Sequence, residues 1–233
     1  MKNILITGGM GFVGSNLAIK YVHEGYNVKI YDNLDKYSGA NKFNINLIKN
    51  DIEFIKGNIL DFEFLKKYLT NIDTVINCAA STSHSKSMKD PVGNLDVNIK
   101  GVINILENLR LLNNNCKIIQ IGTTTQIGNL LKSPANEHHP EFPKDVYSAN
   151  KMLAEKYVDI YCNTYKIEGL TIRLPNTYGP RAAIHSPDLT FNNYFIGLAL
   201  QNQPITIYGH GNQIRNIIYI DDAVNAIYLL SKK

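Results

Sequence analysis

Tyr147 and Lys151 stand four residues apart in a stretch, 147–163, whose pattern is helical. That spacing puts them on one face of a helix. A phenol is a poor base near neutral pH. An ammonium beside it stabilises the phenolate, and a nicotinamide cation adds to the effect. Such a tyrosine becomes a usable proton acceptor. Thr123 follows the apolar run Lys117-Ile118-Ile119-Gln120-Ile121, and its hydroxyl can both donate and accept. The trio suits removal of a proton from an alcohol while hydride leaves its carbon for a cofactor. Tyr-x-x-x-Lys alone matches many amphipathic helices by chance. Its weight comes from what precedes it in the chain.

A cofactor must be held against that trio, and Thr7-Gly8-Gly9-Met10-Gly11-Phe12-Val13-Gly14 is the first element able to hold one. It joins the apolar run Ile4-Leu5-Ile6 to Ser15-Asn16-Leu17-Ala18-Ile19, which predicts strand, turn and helix. Glycine allows a sharp turn and a close ligand approach. The helix start presents unpaired N–H groups and a positive dipole end, which suit a pyrophosphate. Glycines at 8, 11 and 14 give G-x-x-G-x-x-G, a variant of the common G-x-G-x-x-G fingerprint. An ordinary strand–helix turn is the plain alternative. A second strand over 27–31 ends at Asp32. An acid there can accept both adenosine ribose hydroxyls and repel a 2′-phosphate, which favours NAD over NADP. A turn-forming aspartate is the competing account. A strand over 73–80 ends in Cys78, Ala79 and Ala80, small enough for a flat ligand to lie across them.

Further strands are expected at 51–56, 117–121 and 169–174, alternating with helices at 12–24, 61–69, 94–112 and 147–163. Alternation of this kind predicts an α/β, Rossmann-type doubly wound parallel sheet. Apolar spacing makes 94–112 the longest helix. The loops 81–90 and 129–146, with His84, His138 and His139, read as solvated. Beyond 175 come a helix over 191–201, strand-like runs at 205–208 and 216–220, and a short helix from Asp221. The expected division is an NAD-binding domain over 1–175, to which 205–220 can add strands, and a small, partial substrate lobe over 176–233.

At 233 residues, with 44% hydrophobic and 19% charged residues, the composition is that of a soluble globular protein. A net charge of +4 without lysine or arginine runs argues against a nucleic-acid partner. Cys78, Cys116 and Cys162 are odd in number and far apart, so packed thiols are expected and no metal site. Neither a signal peptide nor a membrane span is evident, and the cytoplasm is the expected compartment.

Thr7-Gly8-x-x-Gly11-x-x-Gly14, Asp32-Asn33-Leu34, Ala79-Ala80, Asn98-x-x-Gly101, Thr123, Tyr147-x-x-x-Lys151, Asn176-x-Tyr178-Gly179-Pro180-Arg181 and Arg215 together resemble the extended short-chain dehydrogenase/reductase family. Within it the chain is similar to NAD-dependent nucleotide-sugar epimerases and dehydratases, of the UDP-glucose 4-epimerase kind. The resemblance implies that Phe12 and Val13 join the glycine loop at the pyrophosphate and Asn33 joins Asp32 at the ribose. It implies Asn58 and Ile59 at the adenine, Cys78, Ala79 and Ala80 along the cofactor, and Asn98 behind the catalytic helix. Asn176 and Arg215 match residues that face the sugar and the nucleotide diphosphate, a role apt for arginine. The implied partners are a nucleotide-diphosphate sugar and a second copy of the chain, paired through two long helices.

Three departures from the family pattern stand out: Asn58 and Asn216 where an aspartate is usual, and an end at Lys233 where relatives continue. Dehydratases of the family carry an acidic pair after the catalytic threonine. Here those positions are Thr124 and Thr125, which favours epimerisation at C4 through a transient 4-keto sugar. A 4-ketoreductase, a 4,6-dehydratase and a non-enzymatic NAD-binding scaffold are the alternatives.

Overall fold

The computed structural model describes residues 2–35, 37–112 and 115–232; Met1 and Lys233, the outer bounds of the two expected domains, lie outside them. Six parallel strands form one sheet in the order β3-β2-β1-β4-β5-β6. These are β1 (Asn3–Thr7), β2 (Asn27–Asp32), β3 (Ile52–Lys56), β4 (Thr74–Asn77), β5 (Lys117–Thr123) and β6 (Gly169–Leu174). The central strands are apolar almost throughout because both faces of a parallel sheet are covered. Alternation along each strand divides two cores. Ile4, Ile6, Ile76 and Ile119 face one side, whereas Leu5, Val75 and Ile118 face the other.

Helix α1 (Phe12–His23) covers the first face, and α2 (Phe62–Leu69), α5 (Gly101–Leu112) and α6 (Val146–Tyr165) cover the second. A short helix, α3 (His84–Lys89), occupies the expected loop at 81–90, and a second, α4 (Pro91–Leu95), follows it directly. Ser83 caps α3 by accepting the Lys86 amide, and Asp90 caps α4 ahead of Pro91. A wide helical turn at Asp96–Lys100 separates α4 from α5, so the longest continuous helix is α6, not 94–112. Apolar periodicity runs through such a turn unbroken, which is why spacing alone misses it.

The chain beyond 175 also differs from expectation. A two-stranded parallel sheet pairs β7 (Asn176–Tyr178) with β8 (Ile217–Tyr219). The stretch 205–208 is exposed and irregular, not a strand. Helix α7 (Phe191–Leu200) lies between the two strands in sequence. Helix α8 (Ile220–Ser231) packs on α1 and sends Ile220, Val224, Ile227 and Tyr228 into the first core. Its buried face makes α8 part of the main sheet's covering layer.

Candidate active site

One cleft of about 280 Å³ gathers most of the residues singled out by type and spacing. Gly8, Gly11, Phe12, Val13, Gly14, Asp32, Asn33, Asn58 and Ile59 line one end. Cys78, Ala79 and Ala80 form its middle, and Thr123, Tyr147, Lys151 and Asn176 line the other end. The cleft opens between the carboxyl ends of β1 and β4, where the strand order reverses and ligands bind in such sheets.

The glycine loop is tightest at Gly8 and Gly14 and less so at Gly11. Gly8 has φ +66°, and a Cβ there would lie 2.6 Å from the Ala79 nitrogen. A Cβ on Gly14 would lie 2.4 Å from the Gly8 carbonyl oxygen, while one on Gly11 would meet only that oxygen, at 3.3 Å. Gly11 begins α1 without a side-chain cap, so the first amides of the helix are available to an anion. Asp32 already has two tasks. Its Oδ1 accepts the Leu34 amide at 2.7 Å and its Oδ2 accepts the Met10 amide at 2.9 Å. The aspartate thus ties β2 to the glycine loop, and each oxygen keeps a lone pair for a ribose hydroxyl. Burial pushes its carboxyl up against those two amides. Ile59 packs where a Cβ on Gly101 would meet its Cδ1 at 2.3 Å, which accounts for the glycine of Asn98-x-x-Gly101. Free amides, a cradle without side chains and an acid at the second strand's end fit a dinucleotide.

At the other end, Tyr147 and Lys151 are both buried, Lys151 to 3% exposure. Burial pushes the Tyr147 phenol up to about 12, with the Thr123 side chain pulling the other way. Burial also lowers Lys151 to about 8, against the Cys78 side chain. The protein alone therefore keeps the phenol protonated at neutral pH, and a further positive charge is needed to make it a base. Burial holds the Cys78 thiol protonated, at about 12, beside Lys151. Thr123 Oγ1 lies 3.1 Å from Thr125 Oγ1, which accepts from Ser148 Oγ at 2.9 Å. That hydroxyl chain joins the end of β5 to the first turn of α6.

Neighbouring contacts hold the helix in place. Arg173 on β6 donates to both oxygens of Glu155, at 2.6 and 2.9 Å, and Gln126 donates to Glu155 at 2.8 Å. Glu155 sits one turn beyond Lys151 on α6, so this pairing sets the face of the helix that carries Tyr147 and Lys151 against the sheet. Asn98 does not line the cleft. It is buried in the wide turn, and its Nδ2 donates to the Ser81 carbonyl and to Asn94. Arg215 is not brought to the cleft either. It is exposed, and its Nη1 donates to the Ile214 carbonyl. Asn176, by contrast, lines the cleft and donates to the Asn216 carbonyl at 3.2 Å.

Several lining residues escape sequence reasoning: Ser81, Thr82, His84, Thr190 and Asn193. The dense hydroxyls of 81–87 were the available signal. His84 is no free loop histidine, because its Nδ1 meets Asp145 Oδ2 at 2.7 Å. His84 itself is exposed, with 45% of its side chain accessible, whereas His139 is buried and accepts the Leu131 amide through Nε2 at 3.0 Å; His138 is exposed. Among the described residues no cluster of His, Cys, Asp and Glu could hold a metal ion, and no helix is long and apolar enough to cross a membrane.

Strand order and cleft position mark a nucleotide-binding α/β protein of the Rossmann class. Within that class the chain belongs to the NAD dependent epimerase/dehydratase family, whose sequence profile matches residues 4–233. NAD is the family's cofactor. The chain is 34% identical over 224 residues to a putative UDP-glucose 4-epimerase of Methanocaldococcus jannaschii, covering 96% of this chain and 71% of that protein. It is 35% identical over 248 residues to the dTDP-D-glucose 4,6-dehydratase of Dictyostelium discoideum, covering 100% of this chain and 56% of the relative. The fold matches the UDP-N-acetylglucosamine 4-epimerase of Methanobrevibacter ruminantium, solved in complex with UDP-N-acetylmuramic acid. That match has a TM-score of 0.92 at 28% identity and covers 100% of this chain and 73% of the other.

Proposed function

We propose that this chain is an NAD-dependent epimerase that inverts C4 of a nucleotide-diphosphate sugar through a transient 4-keto sugar. The observation that carries the reading is the chemistry of the catalytic end. Among the described residues lining the cleft, the carboxylates are Asp32 and Asp35, both at or just past the end of β2. Thr124 and Thr125 follow Thr123, so water elimination lacks the acid it needs. Bound NAD supplies the hydride acceptor and donor. Thr123 would hold the sugar's O4, and Tyr147 would take its proton and later return it. Lys151 would support the phenolate charge. With C4 trigonal, the keto-sugar can present its other face before the carbinol re-forms.

The remaining assignments follow the same reading. Residues 1–175 would bind NAD: the glycine loop with Phe12 and Val13 at the pyrophosphate, Asp32 and Asn33 at the ribose, and Asn58 and Ile59 at the adenine. Residues 176–233 would form the partial substrate lobe and face the sugar through Asn176, with α8 of that stretch packed on the first core. Arg215 would reach the diphosphate if the exposed stretch before β8 folds over the mouth. The protein would work as a cytoplasmic homodimer.

Purified protein incubated with UDP-glucose, UDP-galactose or another sugar nucleotide should interconvert epimers without added NADH. Net consumption of NADH would replace this reading with a 4-ketoreductase. A 4-keto-6-deoxy product would replace it with a dehydratase, the activity named for the Dictyostelium relative. Tyr147→Phe should abolish turnover and spare NAD binding; unchanged activity would sink the catalytic assignment.

A further inference from the structure

One side chain in the cleft outside the trio is tied to Tyr147 along two routes. The His84 ring stands edge-on to the Tyr147 ring, with centroids 4.9 Å apart and planes at 80°. Its Nδ1–H donates to Asp145 Oδ2 at 2.7 Å. The other oxygen of Asp145 accepts the Ser148 amide at 2.8 Å and so caps α6. The backbone closes the circuit. Ser87 Oγ donates to the His84 carbonyl at 2.7 Å and accepts the Tyr147 amide at 3.1 Å. Helix α3 also reaches toward the substrate side: Ser85 donates to Asp188 Oδ1 at 2.5 Å. Asp188 adjoins Leu189 and Thr190, which line the cleft.

An apolar side chain would fill the same space, but an imidazole anchored at Nδ1 has a fixed orientation. It presents that fixed edge to the one ring whose hydroxyl must meet a substrate oxygen. We propose that His84, oriented by Asp145, is a positioning residue for Tyr147, holding the phenol ring where its hydroxyl stays beside Thr123 and faces the reacting carbon. The inference rests on Tyr147 being the proton acceptor. It does not require that the net reaction be epimerisation. A misplacement of about 1 Å can cost about a hundredfold in rate.

The test compares His84→Ala and His84→Phe with the parent enzyme, read on whichever hydride transfer the parent performs. His84→Ala should lower kcat about 10- to 100-fold, with KM and NAD affinity within about twofold and thermal stability near that of the parent. The primary isotope effect with C4-deuterated substrate should rise, because the chemical step becomes slower. His84→Phe keeps the aromatic edge without the anchor and should recover part of kcat. A His84→Ala enzyme with kcat within twofold of the parent overturns the proposal. So does a joint loss of NAD binding and kcat, which would mark His84 as ordinary support for the fold. Parent enzyme that reduces a keto-sugar but never epimerises overturns the reading of function and leaves this test intact. Parent enzyme with no hydride transfer overturns both.

Discussion

Lys151 is the residue at which function and stability oppose each other. Burial lowers its ammonium from 10.5 to about 8, and such a shift corresponds to about 3 kcal/mol against the charged form. The folded pKa lies below the unfolded one, so the unfolded chain binds more protons between about pH 8 and 10.5. Stability therefore gains as pH rises through that window, and the penalty is fully present below it. Lys151→Met should stabilise the cofactor-free protein at pH 7 by up to about 3 kcal/mol while abolishing turnover. The gain should shrink as unfolding is followed from pH 7 toward pH 10. A variant less stable than the parent at pH 7 would show that the ammonium has a compensating partner. Type and spacing were enough to single out Tyr147, Lys151 and Thr123, which the fold brings to one cleft. They could not give the direction in which burial moves the two ionisable groups, because desolvation depends on neighbours distant in sequence, such as Cys78 beside Lys151 and Ser87 beside Tyr147.

The turn from β1 into α1 makes the loop's glycines unequal. At Gly14 a Cβ would press on the backbone of Gly8 and Gly9, at 2.4 and 2.8 Å, and backbone cannot rotate aside. At Gly11 a Cβ would meet a single backbone atom, the Gly8 carbonyl oxygen at 3.3 Å, which must give by a few tenths of an ångström. Gly14→Ala should therefore destabilise the protein by about 1–3 kcal/mol and lose NAD. Gly11→Ala should cost less stability than Gly14→Ala yet bind NAD about tenfold more weakly, the result expected if the first amides of α1 hold a phosphate. Thermal unfolding with and without NAD separates the two effects, and equal destabilisation would refute the distinction. Strands β1 to β6 were legible as elements, since buried apolar runs bounded by turns are a local signal. The break at Asp96–Lys100 was not, because the apolar period continues across it. The short helix α3 was hidden by its polar composition and α4 by its length and its Pro and Gly, although Ser83, Asp90 and Pro91 carry the capping chemistry that starts them.

Across the whole molecule, the outer face of α6 carries Leu153 and Ile160 seven residues apart, with Tyr157 between them half-buried against the second core. Leu153 and Ile160 are exposed by 40% and 53%, and this stripe is the candidate seam for a second copy. Light scattering should give a dimer mass for the parent and a monomer mass for Ile160→Glu, with unfolding temperature little changed. A monomeric parent at micromolar concentration would remove α6 as an interface.

The chain's own order of residues determined the fold class and family, and it singled out the glycine loop, Thr123, Tyr147 and Lys151, which the fold gathers in one cleft. Each of these is written in neighbours within a few residues or in a strand–helix alternation that has few topologies. Tertiary structure decided the rest. It set His84 on Asp145, 61 residues away, and locked Arg181 onto Asn16, 165 residues away. It buried α8 in the core against α1, left Arg215 outside the cleft, and gave Asp32 a structural task beside its expected one. Such pairings depend on which strand ends meet when the sheet closes, and no local pattern encodes that distance.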